Sequence, residues 1–98
     1  MRAYILTYTG EQIPVMPNAR GEELNPKTFS LEEMQDIVGG YIEIINLTEE
    51  VCMVLDEEGK LKDKYFNPKA TDIFRKCFPD TSDFIVGNVL VCESDMIE

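Results

Sequence analysis

Ser30-Leu31-Glu32-Glu33 opens a helix and Gly39-Gly40 closes it, and this short segment constrains the chain more than any other feature. The Ser30 hydroxyl is spaced to accept from the N–H of Glu33, while the Glu33 carboxylate reaches back to the N–H of Ser30. Leu31, Met34, Ile37 and Val38 then share one helical face, with Glu32, Glu33 and Asp36 outside it or on its flank. Acids in the first turns suit the positive end of the helix dipole. Gly39 takes the left-handed cap conformation without a Cβ clash. A helix this short must bury its apolar stripe against something else, and the flanking sequence is strand-like.

Residues 3–8 are rich in β-branched and aromatic side chains and read as a strand. Thr9-Gly10-Glu11 is a turn signal leading to a second strand over residues 12–16, where Pro14 predicts a sheet edge. Residues 17–29, with two prolines, two asparagines and a glycine, read as a loop. Residues 41–47 and 51–55 carry apolar side chains at both parities, the pattern of strands covered on both faces, which predicts a central pair. Asp56-Glu57-Glu58-Gly59 reads as a hairpin turn with Gly59 at positive φ, followed by a short exposed strand over residues 60–62. Asn67-Pro68 starts a second helix, Asn as N-cap and Pro at the first helical position, with Ala70, Ile73, Phe74 and Cys77 at helical spacing. Residues 84–92 form a last apolar strand kinked at Gly87, and residues 93–98 an acidic tail expected to fray. The expected fold is a single α+β domain over residues 1–98. It has one antiparallel or mixed sheet of about five to six strands packed by two short helices.

Charge narrows the function classes. The chain carries 19 acidic and 9 basic residues and no histidine, a formal net of −10. That field repels phosphate backbones, so no nucleic-acid partner is expected. The apolar run over residues 84–92 is less than half of the roughly 20 residues that a membrane span needs. The N-terminal apolar run is too short for a secretory leader, and Cys52, Cys77 and Cys92 form no C-x-x-C pair, which together predict a reducing cytoplasm. Six of the nine basic residues (Lys60, Lys62, Lys64, Lys69, Arg75, Lys76) lie within residues 60–76, a local +4 that leaves −14 for the rest. Such an island can orient the molecule toward a partner. Alternating lysines also protect an exposed edge strand.

No catalytic constellation stands out. Glu32-Glu33, Glu49-Glu50 and Glu57-Glu58 are adjacent pairs whose side chains diverge into solvent. Asp56-Glu57-Glu58-Gly59 lacks the alternate-position acids of a calcium loop. Three cysteines without histidine do not fill a four-ligand zinc site, so they read as buried small hydrophobes, and neither metal nor cofactor is expected. Tyr41 and Glu43 share a strand parity beyond the first helix. Asn67, Lys69 and Thr71 surround the second helix N-terminus, a place where an anion can bind.

The run Val38-Gly39-Gly40-Tyr41-Ile42-Glu43, preceded by Met34-Gln35, resembles a family of uncharacterised small domains found in phages, plasmids and their bacterial hosts. Further similar stretches follow in order: Asp56-Glu57-Glu58-Gly59-Lys60, Asn67 with Ala70-Thr71, and Asp83-Phe84-Ile85-Val86-Gly87. The resemblance covers roughly residues 31–92. Residues 17–29 are longer than the family's usual link, and Asn88-Val89 departs from the small-residue step expected after Gly87. The resemblance implies a mobile-element protein with a compact α+β fold, and it carries over no activity, none being established for the family.

The expected function is therefore a non-catalytic acidic interaction protein that docks on a basic host protein, in its fullest form as a DNA-mimicking inhibitor. Its contacts would be Glu32, Glu33, Asp36, Glu49, Glu50, Glu57 and Glu58. The alternative is a small-ligand or nucleotide-binding module with a pocket near Tyr41, Glu43, Asn67 and Lys69. The apolar final strand also offers a route to a homo-oligomer.

Overall fold

A computed structural model describes residues 2–18 and 26–97. Residues 19–25 of the expected loop, and Glu98 of the expected tail, lie outside the described residues. The strands are β1 (Ala3–Leu6), β2 (Gln12–Pro14), β3 (Ile42–Asn46), β4 (Val51–Asp56) and β5 (Val89–Glu93). The helices are α1 (Leu31–Val38) and α2 (Pro68–Cys77). The five strands form one antiparallel sheet in the order β2-β1-β5-β4-β3, so the α+β expectation holds.

Side-chain alternation divides the core between the two faces of the sheet. Ala3, Cys52, Val54, Leu90 and Cys92 meet Met34 and Val38 of α1, with Phe29 and Met96 closing that layer. Leu6, Met53, Leu55, Val89 and Val91 meet Ala70 and Phe74 of α2 on the other face. Both parities of β4 and β5 are therefore buried, at roughly 1.5–3 kcal/mol for each large apolar side chain.

Several expectations are corrected. β3 is an edge strand and only its partner β4 is interior, so the apolar parity of residues 41–47 misplaced it. β5 is the middle strand with both edges paired, which removes the proposed oligomer contact through it. It begins at Val89 because Gly87, at φ 74°, breaks the run. The tail does not fray over residues 93–97: Met96 is buried, its carbonyl accepts from Phe29 N–H (2.8 Å), and Ile97 bridges Phe29. On α1, Leu31 is exposed instead of joining the apolar face.

The expected strand over residues 60–62 is a compact turn. Lys62 N–H donates to Glu58 O (3.1 Å) and Lys64 N–H to Gly59 O (3.1 Å). Gly59 is not at positive φ. Its place is tight instead, since a Cβ there would stand 3.0 Å from Val86 Cγ2 and 3.3 Å from Asp56 O.

Candidate functional site

The C-terminal end of β4 gathers the chain's cations around one buried carboxylate. Asp56, whose side chain is 1% exposed, receives Lys62 Nζ at 2.9 Å and Lys64 Nζ at 2.8 Å on the same oxygen, and Glu58 N–H on the other (2.8 Å). Burial alone would raise the Asp56 pKa, but the bonds from Lys64, Lys62 and Glu58 outweigh it and hold it at about 2. The same two lysines cap α1, which has no basic residue in its own last turn: Lys64 donates to Val38 O (2.5 Å) and Lys62 to Gly39 O (3.3 Å). This explains the glycine pair. Gly39 is the left-handed cap at φ 81°, and a Cβ on Gly40 would fall 2.7 Å from Asp56 Oδ2.

Beside this hub lies a cleft of about 450 Å³, bounded by the last turn of α1, residues 63–65, Tyr8, Gly87 and Asn88. The Tyr8 and Tyr65 rings pack with centroids 5.1 Å apart and a 30° tilt, and both rings are exposed. Asn88 fixes Tyr8 by accepting from its backbone N–H (3.1 Å), and Tyr65 O accepts from Gly87 N–H (2.8 Å). Asp36 and Asp63 line the cleft, Asp63 from a left-handed backbone (φ 54°) that Asp tolerates better than most side chains. Lys64 lines it too, with its ammonium already held by Asp56 and Val38 O.

The four residues expected to form a pocket are not brought together. Tyr41 is exposed beside Gly40 and Lys62, and Glu43 lies in a separate concavity with Phe84 and Leu61. Asn67 is fully buried as the α2 cap, its Oδ1 accepting from Ala70 N–H (3.0 Å) and its Nδ2 donating to Leu6 O (3.0 Å) and Gly87 O (2.8 Å). With every polar atom of its side chain engaged, it has none to offer an anion. Lys69 donates to Gly10 O (2.7 Å).

Of the expected docking acids, Glu32, Asp36, Glu49, Glu50 and Glu57 are exposed and Glu58 is half-buried. Glu33 leaves the set: its carboxylate accepts from Ser30 N–H (3.1 Å) and Asn18 N–H (2.8 Å) in the expected capping box. The basic island has acceptors within the fold, although all of its residues except half-buried Lys64 are exposed. Lys60 pairs with Asp83, Lys76 with Asp72 (3.1 Å), Lys62 and Lys64 with Asp56, while Arg75 donates to Asp83 O (3.0 Å) and Ser82 O (3.2 Å). Its lysines protect no edge strand.

The cysteines are buried as expected at Cys52 and Cys92, which face each other across β4 and β5 with sulfurs 3.8 Å apart. Contact with Cys52 and burial both push the Cys92 thiol up. Cys77 is half-buried.

The sequence carried no local sign of the cleft. Tyr8 and Tyr65 are far apart in the chain, and only folding of residues 57–66 against β1 and Gly87 makes them neighbours.

A family model, Domain of unknown function (DUF3846), matches residues 13–98. The chain belongs to this family. The DUF3846 match runs wider than the resemblance over residues 31–92, beginning within β2 and taking in the 17–29 segment and the C-terminal turn. No curated protein and no solved structure matches the chain. Among the described residues, no helix is long and apolar enough to cross a membrane.

Proposed function

We propose that this DUF3846 chain is a non-catalytic interaction protein that docks a carboxylate-rich exterior on a basic surface of another protein. One observation carries the reading. All six cations of residues 60–76 have internal acceptors, whereas Glu32, Asp36, Glu43, Glu49, Glu50, Glu57 and Glu58 enter no ion pair among the described residues. With a net charge of −10 for the chain, these seven carboxylates leave an acidic surface among the described residues. Such a field speeds encounter with a basic partner and selects against acidic ones.

In its fullest form the reading makes the chain a phage or mobile-element product acting in the bacterial cytoplasm. There it would occupy the phosphate-binding surface of a host defence or DNA-binding protein by imitating its charge. The buried free thiols of Cys52 and Cys92 fit a reducing compartment.

Capture from host lysate at low and high salt tests the proposal. A partner held at about 50 mM salt is expected to be released near 0.5 M, where the screening length falls to a few ångströms. A partner retained equally well at both would remove charge-driven docking.

A further inference from the structure

We propose that the cleft between the Tyr8–Tyr65 pair and the last turn of α1 is the anchor of this docking surface and takes an arginine side chain of the partner. The inference rests on the docking reading and names the contact that would give it specificity. At about 450 Å³ the cleft has room for a long side chain, and its two flat rings meet at 5.1 Å. Tyr65 is 71% exposed and Tyr8 39%, an open aromatic surface of the kind on which a guanidinium stacks. Tyrosine and arginine are also the residue types that dominate binding energy at interfaces.

Charge selects the occupant. Asp36 and Asp63 line the same cleft and enter no ion pair among the described residues. The cation that lines it, Lys64, spends two of its three N–H donors on Asp56 Oδ2 at 2.8 Å and Val38 O at 2.5 Å and forms no ion pair with Asp36 or Asp63. A guanidinium stacks through its plane and donates through five edge N–H groups, which suits rings and carboxylates in one cleft better than an ammonium does.

The test is an amide-resolved NMR titration of the ¹⁵N-labelled chain with N-acetyl-arginine amide, using the neutral isostere N-acetyl-citrulline amide as control. Saturable shifts are expected at residues 8, 36–39, 63–65 and 87–88 with the arginine probe and not with citrulline. Asp36→Asn combined with Asp63→Asn should weaken binding by roughly tenfold, and Tyr65→Ala by roughly fivefold. Tyr65→Phe, which keeps the ring, should bind like the parent. Asn tolerates the left-handed backbone at position 63, and the spectra themselves report whether each variant folds.

Equal shifts with citrulline, or no saturable shift up to roughly 50 mM probe, would overturn the cleft. Shifts confined to Glu49 and Glu50 would overturn it while leaving charge-driven docking in place. Saturation at the cleft in a chain whose captured partner ignores salt would support the cleft and remove the docking reading on which it was built.

Discussion

At the C-terminal end of β4 the Asp56 side chain is nearly sealed from solvent yet meets two ammonium groups, while at the N-terminal end Glu49 and Glu50 face water unpaired. Across the register from Val51, Glu93 shares the half-exposed Arg2 with Asp95, at 3.2 and 3.5 Å. The first end uses its cations as structural parts that cap α1, hold the eleven-residue connection from β4 to α2 and satisfy a buried carboxylate. The second leaves acids in excess, because the cations that would balance them are engaged elsewhere. Surface charge in this fold is thus a consequence of where the lysines are needed internally. Changes at the hub should cost stability, and changes at the acidic end should alter binding alone.

The largest effect is expected at Asn67, which belongs to the first end and joins β1, α2 and the Gly87 turn. Asn67→Ala removes a helix cap, worth about 1 kcal/mol, and takes the side-chain donor from two carbonyls at a buried site, at roughly 1–3 kcal/mol. A loss of about 3 kcal/mol, or a fall of roughly 15 °C in Tm, should appear in thermal or denaturant unfolding. Asn67→Asp keeps the cap acceptor but loses both donor bonds and buries a charge. Parent-like stability in that variant would show that the two carbonyls do not need their donor.

Asp56 gives the next largest effect, and pH reads it. Its pKa is depressed from 3.8 to about 2. Its stabilisation, about 2 kcal/mol, is therefore fully present above pH 3.8 and lost as the pH falls from there through 2. Asp83, held down by Lys60 and by Phe84 N–H, titrates in the same direction, but it is half-exposed and screened. The difference between the parent and Asp56→Asn isolates the hub: it should be near 2 kcal/mol at pH 6 and shrink toward zero near pH 2. A difference independent of pH would mean that Asp56 acts through packing and not through its charge.

Local chemistry was legible in the sequence and long-range engagement was not. The capping box at Ser30, the left-handed Gly39, the edge position of Pro14 and the Asn67-Pro68 helix start all follow from bonds within a few residues. The misreadings share one cause. Lys60, Lys62 and Lys64 alternate as on a strand, but Lys62 and Lys64 reach buried Asp56 and the end of α1 while Lys60 pairs with Asp83, and the backbone between them coils into a turn. The apolar parity of residues 41–47 matched a covered strand, but an edge strand is defined by what lies beside it, and no pattern within β3 records that. Asn67 was recognised as a cap, while its role in joining β1 to the Gly87 turn depends on Leu6, sixty-one residues away. The cleft was hidden for the same reason, since its two rings come from opposite halves of the chain.

The smallest stability effects, at the acidic end, sharpen the comparison most. Arg2 is 61% exposed, so its pairs with Glu93 and Asp95 are solvated contacts that contribute about 0–1 kcal/mol and fade with salt. Arg2→Ala should cost at most about 0.5 kcal/mol in dilute buffer and nothing measurable at high salt. Glu49→Gln with Glu50→Gln should leave stability unchanged or raise it by a few tenths of a kcal/mol, because it relieves repulsion among like charges. The ladder through Thr48 Oγ1, Glu50 O and Ser94 N–H uses backbone atoms of Glu50 and survives the substitution. If these carboxylates serve docking, the double variant should lose salt-sensitive partner capture while unfolding like the parent. A loss of more than about 1 kcal/mol would instead make them structural, and the two ends of β4 would then handle charge alike.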